Sequence, residues 1–92
     1  MKLVINTCYG GFELSDKAEK MLGGEDTAYE LERDDPKLVE VVETLGKKAY
    51  NTDVSKLSVV EIPDNATDYE VNEYDGYESI IYVVDGKIHH VY

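Results

Sequence analysis

A stretch near the N-terminus, Asn6-Thr7-Cys8-Tyr9-Gly10-Gly11-Phe12-Glu13-Leu14-Ser15, gathers hydroxyls, a thiol, two aromatic rings and adjacent glycines. The chemistry that suits such a run is anion binding. Glycines between a strand and a helix let a ligand approach the backbone, whose N–H groups and helix dipole favour negative charge. Arg33, the sole arginine, adds a planar guanidinium that matches a phosphate or a base edge in a way lysine does not. Tyr9 and Phe12 offer flat faces on which a base could stack. The expected ligand-binding set is therefore Thr7, Cys8, Tyr9, Gly10, Gly11, Phe12, Ser15 and Arg33. Each has a plainer reading. Gly10 and Gly11 also serve tight turns, Arg33 could pair with Glu32, Asp34 or Asp35, and strand tyrosines pack across their neighbours.

Covalent chemistry finds less support. Cys8 would need a base, and the histidines, His89 and His90, lie at the far end of the chain. A lone cysteine beside a buried strand acts more often as a small hydrophobe. Adjacent histidines in a strand point to opposite faces and do not readily share a metal. Gly10-Gly11 lacks the Lys-Ser or Lys-Thr of a P-loop, and no dinucleotide-binding fingerprint is present. The expectation is a binding protein with no catalytic residue, no metal and no cofactor. Asp34, Asp35 or Glu78 would be the general base were it an enzyme after all.

The elements that position these residues follow from local pattern. Residues 2–7 read as a strand, and the unbroken Leu3-Val4-Ile5 predicts burial on both faces and a central place in a sheet. Ser15 caps a first helix carrying Leu14, Ala18, Met21 and Leu22 on one face, ended by Gly23-Gly24. Residues 27–33 alternate apolar and charged side chains, as a half-exposed strand does. Asp35-Pro36 opens a second helix with Leu38, Val39, Val41, Val42 and Leu45 inward, and Gly46 stops it. A strand over 57–62 closes at Pro63. Asp75-Gly76 and Asp85-Gly86 then mark hairpins among strands around Tyr69–Tyr74, Ile80–Val84 and Lys87–Tyr92. The expected fold is α+β, a single small domain over 1–92. It has a mixed or antiparallel sheet of about five to six strands with two helices on one face, in the order β-α-β-α-β-β-β-β.

Charge narrows the partners. Nine basic residues face twenty acidic ones, a formal net charge of −11, which repels DNA, RNA and anionic membranes. One cysteine permits no internal disulfide, and no run of residues has the length of a signal peptide core or a membrane span. A cytoplasmic setting is expected. A chain of ninety-two residues also gains stability by sharing a core, so a homo-oligomer, dimer or tetramer, is expected.

Several blocks, taken in order, resemble a family of small phage and prophage proteins. They are Ile5-Asn6-Thr7-Cys8-Tyr9-Gly10-Gly11-Phe12 with Leu14-Ser15, then Arg33-Asp34-Asp35-Pro36 with Leu38-Val39-Glu40-Val41-Val42-Glu43 and Leu45-Gly46, then Val59-Val60-Glu61-Ile62-Pro63-Asp64, then Glu73-Tyr74-Asp75-Gly76-Tyr77-Glu78. The resemblance stops after Ile80: members finish with a charged segment, whereas this chain has an apolar hairpin around Asp85-Gly86. It implies a phage origin and the host bacterial cytoplasm. Two functions follow as expectations. The first is a sponge that sequesters a nucleotide immune signal such as a cyclic dinucleotide without cleaving it. The second is an acidic mimic of nucleic acid that occupies a basic host defence protein.

Overall fold

The computed structural model describes residues 1–24 and 31–91, which form an α+β fold of two α-helices and five strands. The strands are β1 (Lys2–Asn6), β2 (Leu57–Glu61), β3 (Asp68–Tyr74), β4 (Tyr77–Val84) and β5 (Lys87–Val91). The helices are α1 (Asp16–Leu22) and α2 (Pro36–Leu45), the latter followed by a 3₁₀ turn over Gly46–Ala49. No helix among the described residues is long and apolar enough to cross a membrane.

The helices begin and end where local chemistry dictates. Ser15 Oγ accepts from the Ala18 N–H to cap α1, and Gly23 closes it in a left-handed conformation. Asp35 caps α2 through the Lys37 N–H, and Pro36 occupies the first turn. The spacing of Leu38, Val39, Val41 and Val42 turns one stripe of α2 inward, and all four are buried. Burial of such side chains contributes about 2 kcal/mol each before chain entropy is counted.

Instead of the single sheet expected, there are two, both antiparallel: β1-β2, and a meander β3-β4-β5. They stack as layers. One face of the β1-β2 ribbon, through Val4 and Leu57, packs under the helices with Leu38, Val41 and Val42. The other face, through Leu3, Ile5 and Val60, meets Ile62 and Ile80, with Tyr69, Val71 and Tyr82 packed against them. The Leu3-Val4-Ile5 run is fully buried on both sides as expected, but by a helical layer and a second sheet, not by a place inside one broad sheet. An apolar run reports burial of two faces and is silent on how many strands flank the edges.

The expected strand over 27–33 falls partly outside the described residues, at 27–30. Leu31, Glu32 and Arg33 are not in a strand. Arg33 sits instead in the turn before α2, where its carbonyl accepts from the Val4 N–H at 2.9 Å along the free edge of β1. Alternation alone cannot separate a strand from an extended segment that makes isolated bonds to a sheet edge.

Both Asp-Gly pairs make two-residue hairpin turns with positive φ at each residue, 51° and 86° at Asp75-Gly76 and 52° and 76° at Asp85-Gly86. The first turn places Tyr74 opposite Tyr77, and the second places Val84 opposite Lys87.

Candidate functional site

The glycine loop leaves β1 and is at once tied on two sides. The Gly10 N–H donates to the Asp75 carbonyl at 3.2 Å and the Gly11 N–H to the Val54 carbonyl at 3.0 Å. Ser55 Oγ accepts from the Glu13 N–H and donates to the Gly11 carbonyl. Gly10 is extended in a region open to few other residues, φ 155°, and a Cβ there would lie 2.1 Å from the Val54 oxygen. A Cβ on Gly76 would lie 1.9 Å from the Gly10 oxygen. The two glycines thus let the loop backbone touch the Val54 segment on one side and the Asp75-Gly76 turn on the other. The donors that would cradle a phosphate are bonded within the fold.

The other predicted residues are engaged in the same way. Thr7 Oγ1 donates to the Lys56 carbonyl and shares a hydrogen bond with Ser58 Oγ. Cys8 Sγ lies 3.5 Å from both Asn6 Oδ1 and the Val54 oxygen. Ser15 Oγ caps α1 and donates to the Lys48 carbonyl at 2.6 Å, so Thr7 and Ser15 are drawn to different partners. Arg33 and Phe12 are brought together: the guanidinium carbon stands 4.0 Å above the ring centroid, a cation–π contact.

Arg33 pairs with none of its acidic sequence neighbours. It grips Glu78 of β4 with both terminal nitrogens, at 2.5 and 2.8 Å, and also donates to the Val4 carbonyl. Glu78 Oε1 in turn accepts from the Asn6 N–H at 2.7 Å. This two-pronged geometry is the strong form of the arginine–carboxylate pair. The Glu78 side chain is 8% exposed and that of Arg33 30%, so breaking the pair leaves a charge that solvent reaches poorly. It binds the turn before α2, the edge of β1 and the three-stranded sheet at one point.

Asn6, Ser55, Gly76 and Glu78 complete this junction and are missing from the expected site. Asn6 is fully buried. Its amide donates to the Cys8 and Gly76 carbonyls, and its Oδ1 accepts from the Lys56 N–H. One signal in the sequence pointed to Glu78: it shares a strand face with Ile80 and Tyr82, so alternation places a carboxylate inside. A sole arginine is its natural partner.

The surface beside the junction has a different character. Tyr9 is 68% and Tyr74 77% exposed, and the Tyr9 ring leans on that of Tyr77 at 5.3 Å between centroids. Alternation along β3, β4 and β5 puts Tyr74, Tyr77, Ile81, Val83 and Ile88 on the face turned away from the core. Asp68 and Glu70 share that face and are exposed, and Asp75 stands in the turn between Tyr74 and Tyr77. On the inward face, burial with Asp34 and Glu32 nearby raises the Tyr69 hydroxyl pKa, and His89 stacks on Tyr82 at 5.1 Å. A concavity of about 480 Å³ lies elsewhere, between α2 and the start of β1, and Asp34, Glu40 and Glu43 line it beside Lys2. Its carboxylates disfavour an anion. Among the described residues no group of three or more His, Cys, Asp or Glu is arranged to hold a metal ion.

Comparison with known proteins returns no matching family model, no matching curated protein and no matching solved structure.

Proposed function

We propose that this chain is an acidic binding protein whose outer sheet face, with Tyr9, Tyr74 and Tyr77 at its tip, docks on a basic protein surface. The observation that carries the reading is the exposure of Tyr9 and Tyr74, with Tyr9 leaning on the half-buried Tyr77, in a chain of net charge −11. Tyrosines with few accessible rotamers are good anchors at protein interfaces. Among the described residues Glu78 is the one buried carboxylate, so the remaining acids are at least partly open to solvent and available to steer a cationic partner. The resemblance to small phage and prophage proteins suggests the partner: a nucleic-acid-binding host defence protein whose basic groove is occupied by the acidic face.

The nucleotide sponge has less to draw on, because the loop donors and Arg33 are spent inside the fold. What favours it is the Tyr9–Tyr77 pair, on which a base could stack. Arg33→Ala is no test of it, since that change breaks a structural pair. The decisive comparison measures binding to purified basic nucleic-acid-binding proteins by interferometry, alongside thermal shifts with cyclic dinucleotides. Docking predicts binding that weakens with salt and falls at least about tenfold in Tyr74→Ala, as for an interface anchor. A cyclic dinucleotide that raises the melting temperature, with the rise lost in Tyr9→Ala, would replace docking by sequestration.

A further inference from the structure

Strand β5 ends the three-stranded sheet and, among the described residues, pairs only with β4. Four of its five residues are exposed, Ile88 to 66%. In a hairpin closed by a two-residue turn, the pair flanking the turn exchanges backbone hydrogen bonds and every second pair does so after it. Here those pairs are Val84–Lys87, Tyr82–His89 and Ile80–Val91. The N–H and C=O groups of Ile88 and His90 therefore point away from β4, and no backbone bond from another element meets them among the described residues.

Natural sheets protect such an edge with charge, proline or a bulge. The opposite edge, β3, does so with Asp68, Glu70 and Glu73. β5 has no carboxylate; its one lysine, Lys87, stands at the turn end opposite Val84, and the rest reads Ile-His-His-Val in a chain of net charge −11. Two copies of so acidic a chain repel each other, and β5 adds no carboxylate to that repulsion.

We infer that β5 is a homodimer edge, pairing antiparallel with β5 of a second copy across a twofold axis at His89. That register overlaps the whole strand: Lys87 faces Val91, His89 faces His89, and Ile88 faces His90. The outward Ile88 and His90 groups then exchange the backbone bonds they lack, twice over by symmetry. The two meanders become one six-stranded sheet, and Ile88 of each copy is covered on the outer face. This assembly does not depend on what the tyrosine tip binds.

Sedimentation velocity across a concentration series tests it, with two variants. Ile88→Pro deletes an outward N–H and leaves the bonds to β4 intact, a substitution edge strands tolerate. Ile88→Asp keeps the backbone and places carboxylates at diagonal positions about 7–8 Å apart across the axis. The wild type should sediment as a dimer, Ile88→Pro as a monomer, and Ile88→Asp should raise the dissociation constant at least tenfold. A wild type that stays monomeric up to submillimolar concentration overturns the inference, as does a dimer that Ile88→Asp leaves unchanged. Should Ile88→Pro fail to fold, Ile88→Asp decides alone.

Discussion

The junction around Gly10, Gly76, Arg33 and Glu78 and the outer face of β3, β4 and β5 lie side by side, yet they are built on opposite terms. At the junction, backbones touch through glycines, a buried asparagine bonds to three neighbouring segments, and a charge pair is closed by both oxygens. On the outer face, tyrosines and Ile88 stand in solvent with acids between them. Polar groups that look like binding chemistry are here spent on holding layers together. Residues that look like ordinary strand formers are the ones left exposed.

Substitutions can break that contrast, and the largest effect is expected at Gly76. Gly76→Ala forces a side chain into a positive-φ turn and against the Gly10 oxygen. Strain and overpacking together should cost about 4 kcal/mol, a melting temperature about 20 °C lower by calorimetry. Against a total stability of roughly 5–14 kcal/mol for this length, that approaches unfolding. Next comes Arg33→Ala, which strands Glu78 without its partner and should cost about 3 kcal/mol in denaturant titrations. Arg33→Lys should recover only part, since an ammonium cannot meet both carboxylate oxygens in a plane.

On the other side of the comparison, Tyr9→Ala and Tyr74→Ala should each lower stability by less than about 1 kcal/mol while weakening partner binding. Equal damage to folding and binding would erase the distinction between the two regions. The smallest effect belongs to the N-terminal ammonium, which pairs with Asp64 at 2.5 Å. This hydrogen bond and charge lower the Asp64 pKa from its ordinary 3.8. Its contribution is therefore present above that value and is lost as pH falls through the lower folded one. Asp64→Asn should flatten the acid limb of the stability profile only slightly, because the pair is open to solvent.

What the sequence revealed was local. Asp35-Pro36 and Gly46 bound α2, and the two Asp-Gly turns set the meander, because capping and turn geometry are decided within a few residues. The junction was not legible in the same way. Arg33 has three acidic residues within two positions and binds a fourth that lies forty-five residues on. Gly10 is required for a close approach, but a glycine does not announce whether a ligand or another backbone approaches. The split into two sheets was hidden for a related reason: Leu3, Val4 and Ile5 would read the same in either arrangement.

The buried middle strand has a consequence for how the chain is made. β1 is made before every other element described, yet its β2 partners begin at Leu57, and the carboxylate that closes its edge at Asn6 comes seventy-two residues later. Until β4 has emerged, the nascent protein has no way to complete the sheet layer over Leu3 and Ile5. Loop closure of that length is slow, and the exposed run is a target for chaperones and proteases during the wait. The two layers over β1 thus close in order, the helical one once β2 is made and the sheet one only with β4.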